Sequence, residues 1–160
     1  MENAMVSPDK MLLNNEQLIA HLNTLIETCK DGQNGYTTAA EDVKNPAYKT
    51  LFSRYAQQRG TFIGILQVEV RHLGGDPEQS GSMIGSLHRG WINLKSALTT
   101  GDEAAILAEC VRGEDAAIEA YKTVTAEILP FHINSMIEQQ YADIRDARDK
   151  VRALDNILTV

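Results

Sequence analysis

The sequence predicts an all-helical, single-domain fold in which four long helices pair into two antiparallel hairpins joined by a long helical crossover. Three observations predict it. At 160 residues the chain has the length of one ordinary domain, large enough to bury a core without disulfides or metals as staples. Its prolines, Pro8, Pro46, Pro77 and Pro130, leave long stretches free of helix breakers, and apolar residues recur along those stretches at helical spacings of three and four. No stretch alternates Val, Ile and Thr with polar residues as a half-buried strand would.

Residues 1–13 carry Pro8 and no sustained period, and read as a flexible N-terminal tail; the single domain covers residues 14–158. From Asn14 onward, Leu18, Leu22, Leu25, Cys29, Gly32, Tyr36, Ala39 and Val43 form one stripe, which predicts a single long helix straight through Gly32 and Gly35. Asn45-Pro46 ends it and starts the next, because the residue before proline avoids the helical region while Pro suits the first helical turn and Asn caps it. The second helix presents Tyr48, Phe52, Tyr55, Phe62, Leu66 and Leu73 and stops at Gly74-Gly75-Asp76-Pro77.

The segment from Gly75 to Gly101 is too long for a plain turn, and Ile84, Leu87, Trp91, Leu94 and Leu98 give it a stripe of its own. A helix over 82–98 spans about 25 Å at ~1.5 Å per residue, enough to carry the chain from one end of the domain to the other. The third long helix starts at Gly101-Asp102 and runs to about Ile128, ahead of Pro130. The fourth takes Ile133, Ile137, Tyr141, Ile144, Val151 and Leu154. Two hairpins joined by one long crossover is the connectivity of ferritin-like four-helix bundles.

A formal net charge of −7 argues against nucleic acid as a partner, since a phosphate backbone needs clustered Lys and Arg. No run of roughly 18 apolar residues and no basic start before an apolar core are present, so the expectation is a cytoplasmic protein with no membrane span. Cys29 and Cys110 fall on apolar faces of different helices, belong to no CxxC or Cys-His spacing, and read as small buried hydrophobes.

Glu114 is the residue with most to say about chemistry. It lies at the centre of the stripe made by Leu107, Cys110, Ala117, Ile118, Tyr121 and Ile128. A carboxylate there is either a metal ligand or half of a buried ion pair. Di-iron sites in ferritin-like bundles take a Glu from each of two helices and Glu-x-x-His from each of the others. Glu114 with Tyr121 two turns later fits that template, but helix one offers Cys29 at the matching place, helix two Gln58 and Thr61, and helix four Arg145 and Arg148. A guanidinium cannot bind a metal and repels one. The literal Glu69-Val70-Arg71-His72 sits at the end of helix two, which leaves Glu114, Glu69 and His72 as the metal candidates, for iron or manganese, against an expectation of no cofactor. His21, His88 and His132 form no zinc spacing, and no nucleophile elbow, phosphate loop or dinucleotide fingerprint is present. The ion-pair reading therefore leads: Glu114 held by an inward arginine, Arg148 first and Arg59 second.

The runs Leu87-His88-Arg89-Gly90-Trp91-Ile92-Asn93-Leu94-Lys95-Ser96-Ala97-Leu98, Leu25-Ile26-Glu27-Thr28-Cys29-Lys30-Asp31-Gly32, Ala39-Ala40-Glu41-Asp42, and Glu109-Cys110 with Arg112-Gly113-Glu114-Asp115-Ala116-Ala117 are distinctive. Together, from about Asn14 to Leu154, they resemble a bacterial family of small ferritin-like four-helix-bundle proteins classed as a domain of unknown function. The resemblance implies the fold and no particular activity. It also implies that relatives often carry His where this chain has Arg148, which puts a metal site here further in doubt.

The expected function is that of a non-enzymatic bundle that self-associates, a dimer being favoured, or binds a protein partner, with a stress-related role suggested only by ferritin-like relatives. Trp91, Leu87 and Leu94 are the expected interaction surface, since Gly85 and Gly90 beside them permit close approach to the chain's own bundle or to a second subunit. The alternative is a di-iron type oxidoreductase or iron-handling protein with a degenerate site.

Overall fold

The computed structural model describes residues 11–77 and 88–159. Among these residues lie five α-helices: α1 (Asn15–Asp42), α2 (Pro46–His72), α3 (Leu94–Thr100), α4 (Glu103–Thr125) and α5 (Phe131–Thr159), with a 3-10 turn at His88–Trp91. The one bridge of strand type among them pairs Leu12 with Ile128.

Local chemistry sets the helix ends. At the start of α1 the Asn14 side chain accepts from the Gln17 amide at 2.8 Å, and the Gln17 side chain accepts from the Asn14 amide at 3.1 Å. This reciprocal capping box satisfies two of the amide donors that a helix start leaves open. Asn45 accepts from the Ala47 amide at 2.9 Å with Pro46 in the first turn, so three residues, Val43 to Asn45, turn the chain from α1 into α2. α2 stops where Gly74 takes a left-handed φ of 84° and the Gly75 amide reaches back to the Val70 carbonyl at 2.9 Å. Asp102 caps α4 through the Ala104 and Ala105 amides at 3.0 and 3.4 Å.

The core falls into two clusters, and their membership fixes the helix directions. One joins Leu22 and Ile26 from the first half of α1, Leu66 and Val70 from the second half of α2, Tyr121 and Val124 from the second half of α4, and Ile133 and Ile137 from the start of α5. The other joins Tyr36 and Val43, Leu51 and Phe52, Ile106 and Leu107, and Val151, with Leu94 and Ala97 of α3. α1 and α2 are therefore antiparallel, as are α4 and α5, and the chain crosses from one end to the other between His72 and Glu103.

That crossing is not the continuous helix over 82–98 that the periodicity predicts. Residues 82–87, with Ile84, Gly85 and Leu87, lie outside the described residues. From His88 on, a 3-10 turn is followed by a two-residue break and the seven-residue α3. The reason is that the Asn93 amide is taken at 3.0 Å by the buried Glu109 carboxylate rather than by a carbonyl one turn back, which restarts the helix at Leu94. Close approach completes the seat: a Cβ on Gly90 would run into the backbone of Gly113, and a Cβ on Gly35 or Gly113 would run into the Trp91 ring. Two glycines inside long helices thus make the hollow that Trp91 fills.

Of the expected N-terminal tail, residues 1–10 lie outside the described residues. Residues 11–13 run beside the end of α4, where the Leu13 amide donates to the Ile128 carbonyl at 3.3 Å and Leu13 packs against the core.

Gly64 is on the exposed side of α2, where a Cβ would meet nothing within 4 Å. Gly64→Ala should therefore raise the stability by about 0.5–1 kcal/mol through the backbone entropy of the unfolded chain. Gly35→Ala should lower it by about 1–3 kcal/mol by displacing Trp91. Urea unfolding followed by circular dichroism reads both, and equal behaviour of the two variants would remove Trp91 as the reason for Gly35.

Candidate functional site

Glu114 on α4 is fully buried, at 0 % exposure, and the side chain that meets it is Arg59 of α2, 1 % exposed. Arg59 continues the α2 stripe through Tyr55 and Phe62, so its inward direction follows from helical spacing alone. Its Nη1 donates to Oε1 and its Nη2 to Oε2 of Glu114, both at 2.6 Å, the parallel two-bond geometry that suits guanidinium and carboxylate. The Tyr36 hydroxyl of α1 donates to Oε2 at 2.8 Å, and Arg59 Nε donates to Gln58 Oε1 at 3.2 Å. Three helices thus meet at one charged layer.

The space for the guanidinium comes from Gly32, where a Cβ would stand 3.1 Å from Arg59 Nη1. Tyr36 offers its ring to the cation as well, with the guanidinium carbon 5.7 Å from the ring centre. Phe52, Tyr55 and Trp91 pack around Tyr36 with ring centres 5.7, 5.3 and 5.1 Å away, which closes the layer to water on that side. Burial works against the Arg59 charge, but the Glu114 carboxylate and its hydrogen bonds outweigh it and raise the Arg59 pKa above its ordinary value. Burial first, then the Glu114 charge, pushes the Tyr36 hydroxyl well above the usual tyrosine range.

A neutral polar layer lies two helical turns further along α4. The Tyr121 hydroxyl donates to Gln140 Oε1 at 2.7 Å, so the Cys29 thiol, 3.1 Å away, is the donor to the Tyr121 oxygen. Gln140 Nε2 is buried and has no partner among the described residues. Burial pushes the Cys29 thiol up to about 11 and Cys110 well above its ordinary value, so neither is a thiolate nucleophile at neutral pH.

The other sequence candidates go elsewhere. Arg148 does not reach Glu114. It is 21 % exposed and pairs with Asp115 at 2.8 Å and Asp149 at 2.7 Å, while Arg152 comes to 3.4 Å from Asp115. The inward face of α5 is Ile133, Ile137, Gln140, Ile144, Ala147 and Val151, which leaves Arg148 one residue, about 100°, round from that face. Glu69 turns away from His72 and meets His132 of α5 at 3.3 Å, with His72 exposed, so Glu69, His72 and Glu114 do not converge. Among the described residues no three His, Cys, Asp or Glu side chains are placed to hold a metal ion. Leu94 is buried in the second core cluster, and the half-buried Trp91 fills the Gly35 and Gly113 hollow of its own chain; Leu87 lies outside the described residues. No described helix is long and apolar enough to cross a membrane.

The chain belongs to the family described as Domain of unknown function (DUF2383), which matches residues 17–127. The match takes in Cys29, Tyr36, Arg59, Trp91, Glu114 and Tyr121, and ends before the α5 residues Gln140 and Arg148. No curated protein matches the chain.

Both thiols should resist an aromatic disulfide reagent in the folded protein at pH 8 and react fully in urea. Prompt reaction of either one under native conditions would contradict the sealed core described for Cys29 and Cys110.

Proposed function

We propose that the protein is a ferritin-like four-helix bundle of the bacterial cytoplasm that catalyses no reaction and works by self-association, as a dimer, in a role that its ferritin-like relatives suggest is stress related. One observation carries this reading: the buried carboxylate Glu114, which in a di-iron bundle would bind metal, is held from both oxygens by the Arg59 guanidinium. A fixed internal cation at that place does the charge compensation that a metal would otherwise do, and repels a second cation. The crossing of the chain from the end of α2 to the far start of α4 supports the ferritin-like connectivity. The α1 residue two turns before Tyr36 is Cys29, which donates a neutral hydrogen bond and offers no carboxylate.

Self-association is supported by the apolar side chains left open where α5 begins. Phe131 is 86 % exposed, and Met11 and Leu12 lie exposed beside Ile128, three residues before it in sequence. Large apolar side chains gathered at one end suit contact with a second copy.

Two measurements test the reading on one preparation. Protein purified without chelator and offered ferrous iron anaerobically should hold far less than one metal per chain by elemental mass spectrometry; stoichiometric metal that is lost in Glu114→Ala would overturn the non-metal reading. Sedimentation equilibrium should give a dimer that Leu12→Ser with Phe131→Ser converts to monomer, and a native protein that is already monomeric would overturn self-association.

A further inference from the structure

A cleft of about 270 Å³ opens between the first turns of α2 and the last turns of α5, at the opposite end from Phe131. Tyr48, Leu51 and Leu154 make its apolar floor, and each wall contributes one cation, Arg54 from α2 and Lys150 from α5. Neither Arg54 nor Lys150 has an ion pair or hydrogen bond to a described residue, whereas Lys30, Arg112, Arg148 and Arg152 all sit on acids. Two cations without an ion pair, over an apolar floor and with Asp146 one helical turn before Lys150, are complementary to one kind of occupant: a short hydrocarbon chain ending in an anion.

Size narrows the occupant further. At ~30 Å³ for each water-sized group, the cleft takes about nine heavy atoms, too few for a partner helix and close to one medium-chain carboxylate. We propose that this cleft binds a free medium-chain carboxylate, with the alkyl chain on Tyr48, Leu51 and Leu154 and the carboxylate between Arg54 and Lys150. The site lies apart from the Arg59 and Glu114 layer and does not depend on it.

The probe is sodium octanoate, titrated below its micelle concentration into the full-length protein labelled with nitrogen-15, with acetate, hexanoate and 1-octanol in parallel. The expected result is a saturable set of shifts confined to the first turns of α2 and the last turns of α5. Affinity should fall by about threefold to fourfold for each methylene removed. Octanol, which lacks the charge, should bind more weakly. The double variant Arg54→Ala with Lys150→Ala changes only exposed side chains and should fold unchanged while losing about tenfold or more in octanoate affinity. The proposal is overturned by the absence of saturation, by shifts scattered over the surface, by octanol binding as well as octanoate, or by a double variant that binds octanoate as the native protein does.

Discussion

The bidentate pair of Arg59 and Glu114 is the constraint around which the middle of the molecule is arranged. Two charges removed from water cost several kcal/mol each, and only close geometry with every remaining donor and acceptor supplied brings that cost back. The surrounding sequence supplies the close geometry and several of the further partners. Tyr36 adds a hydroxyl to Oε2 and a ring face to the cation, Gln58 accepts from Nε, and Gly32 gives up a side chain so that the guanidinium can lie against α1. α1, α2 and α4 can keep these contacts only in one axial register, so the layer specifies the alignment of three helices more than it adds to their stability.

The same register seats the crossover. Tyr36 touches both the charged layer and Trp91, with the indole edge-on at 5.1 Å. Trp91 in turn lies in the hollow that Gly35 of α1 and Gly113 of α4 leave, and Gly113 immediately precedes Glu114. A slip of α4 by one turn would lose the ion pair and the indole seat together. Glycines that cost helix propensity, at Gly32, Gly35 and Gly113, are thus accounted for by what approaches them.

Much of this was legible in the sequence. The tight turn at Asn45-Pro46, the Asn45 and Asp102 caps and the long α1 through its glycines follow from local rules, because capping and proline geometry act over a few residues. Glu114 stood out as an acid in an apolar stripe. Arg59 is equally legible by spacing, between Tyr55 and Phe62, but the apolar stripe of α5 takes in Tyr141, and that phase turns Arg148 inward. The real face runs through Gln140 and Ala147, a polar and a small residue that hydrophobic periodicity does not flag. The break before α3 was not legible either, since it depends on a bond from Asn93 to Glu109, distant in sequence and on another helix. The seat of Trp91 is not legible either, because Gly35 and Gly113, which make it, lie far from Trp91 in the chain.

A layer of this kind gives the functional reading its character: a cation built into the chain occupies the central carboxylate, and the thiols nearby stay protonated. Its energetic weight is open to direct measurement by a double-mutant cycle in urea, with Arg59→Met, Glu114→Gln and their combination, and Arg148→Ala as the outer control. Each single variant should lose about 3–5 kcal/mol, with the combination recovering a substantial part. Arg148→Ala should stay within about 1 kcal/mol. Losses that simply add in the combination, or an Arg148→Ala loss as large as that of Arg59→Met, would contradict the central place given to the Arg59 and Glu114 pair.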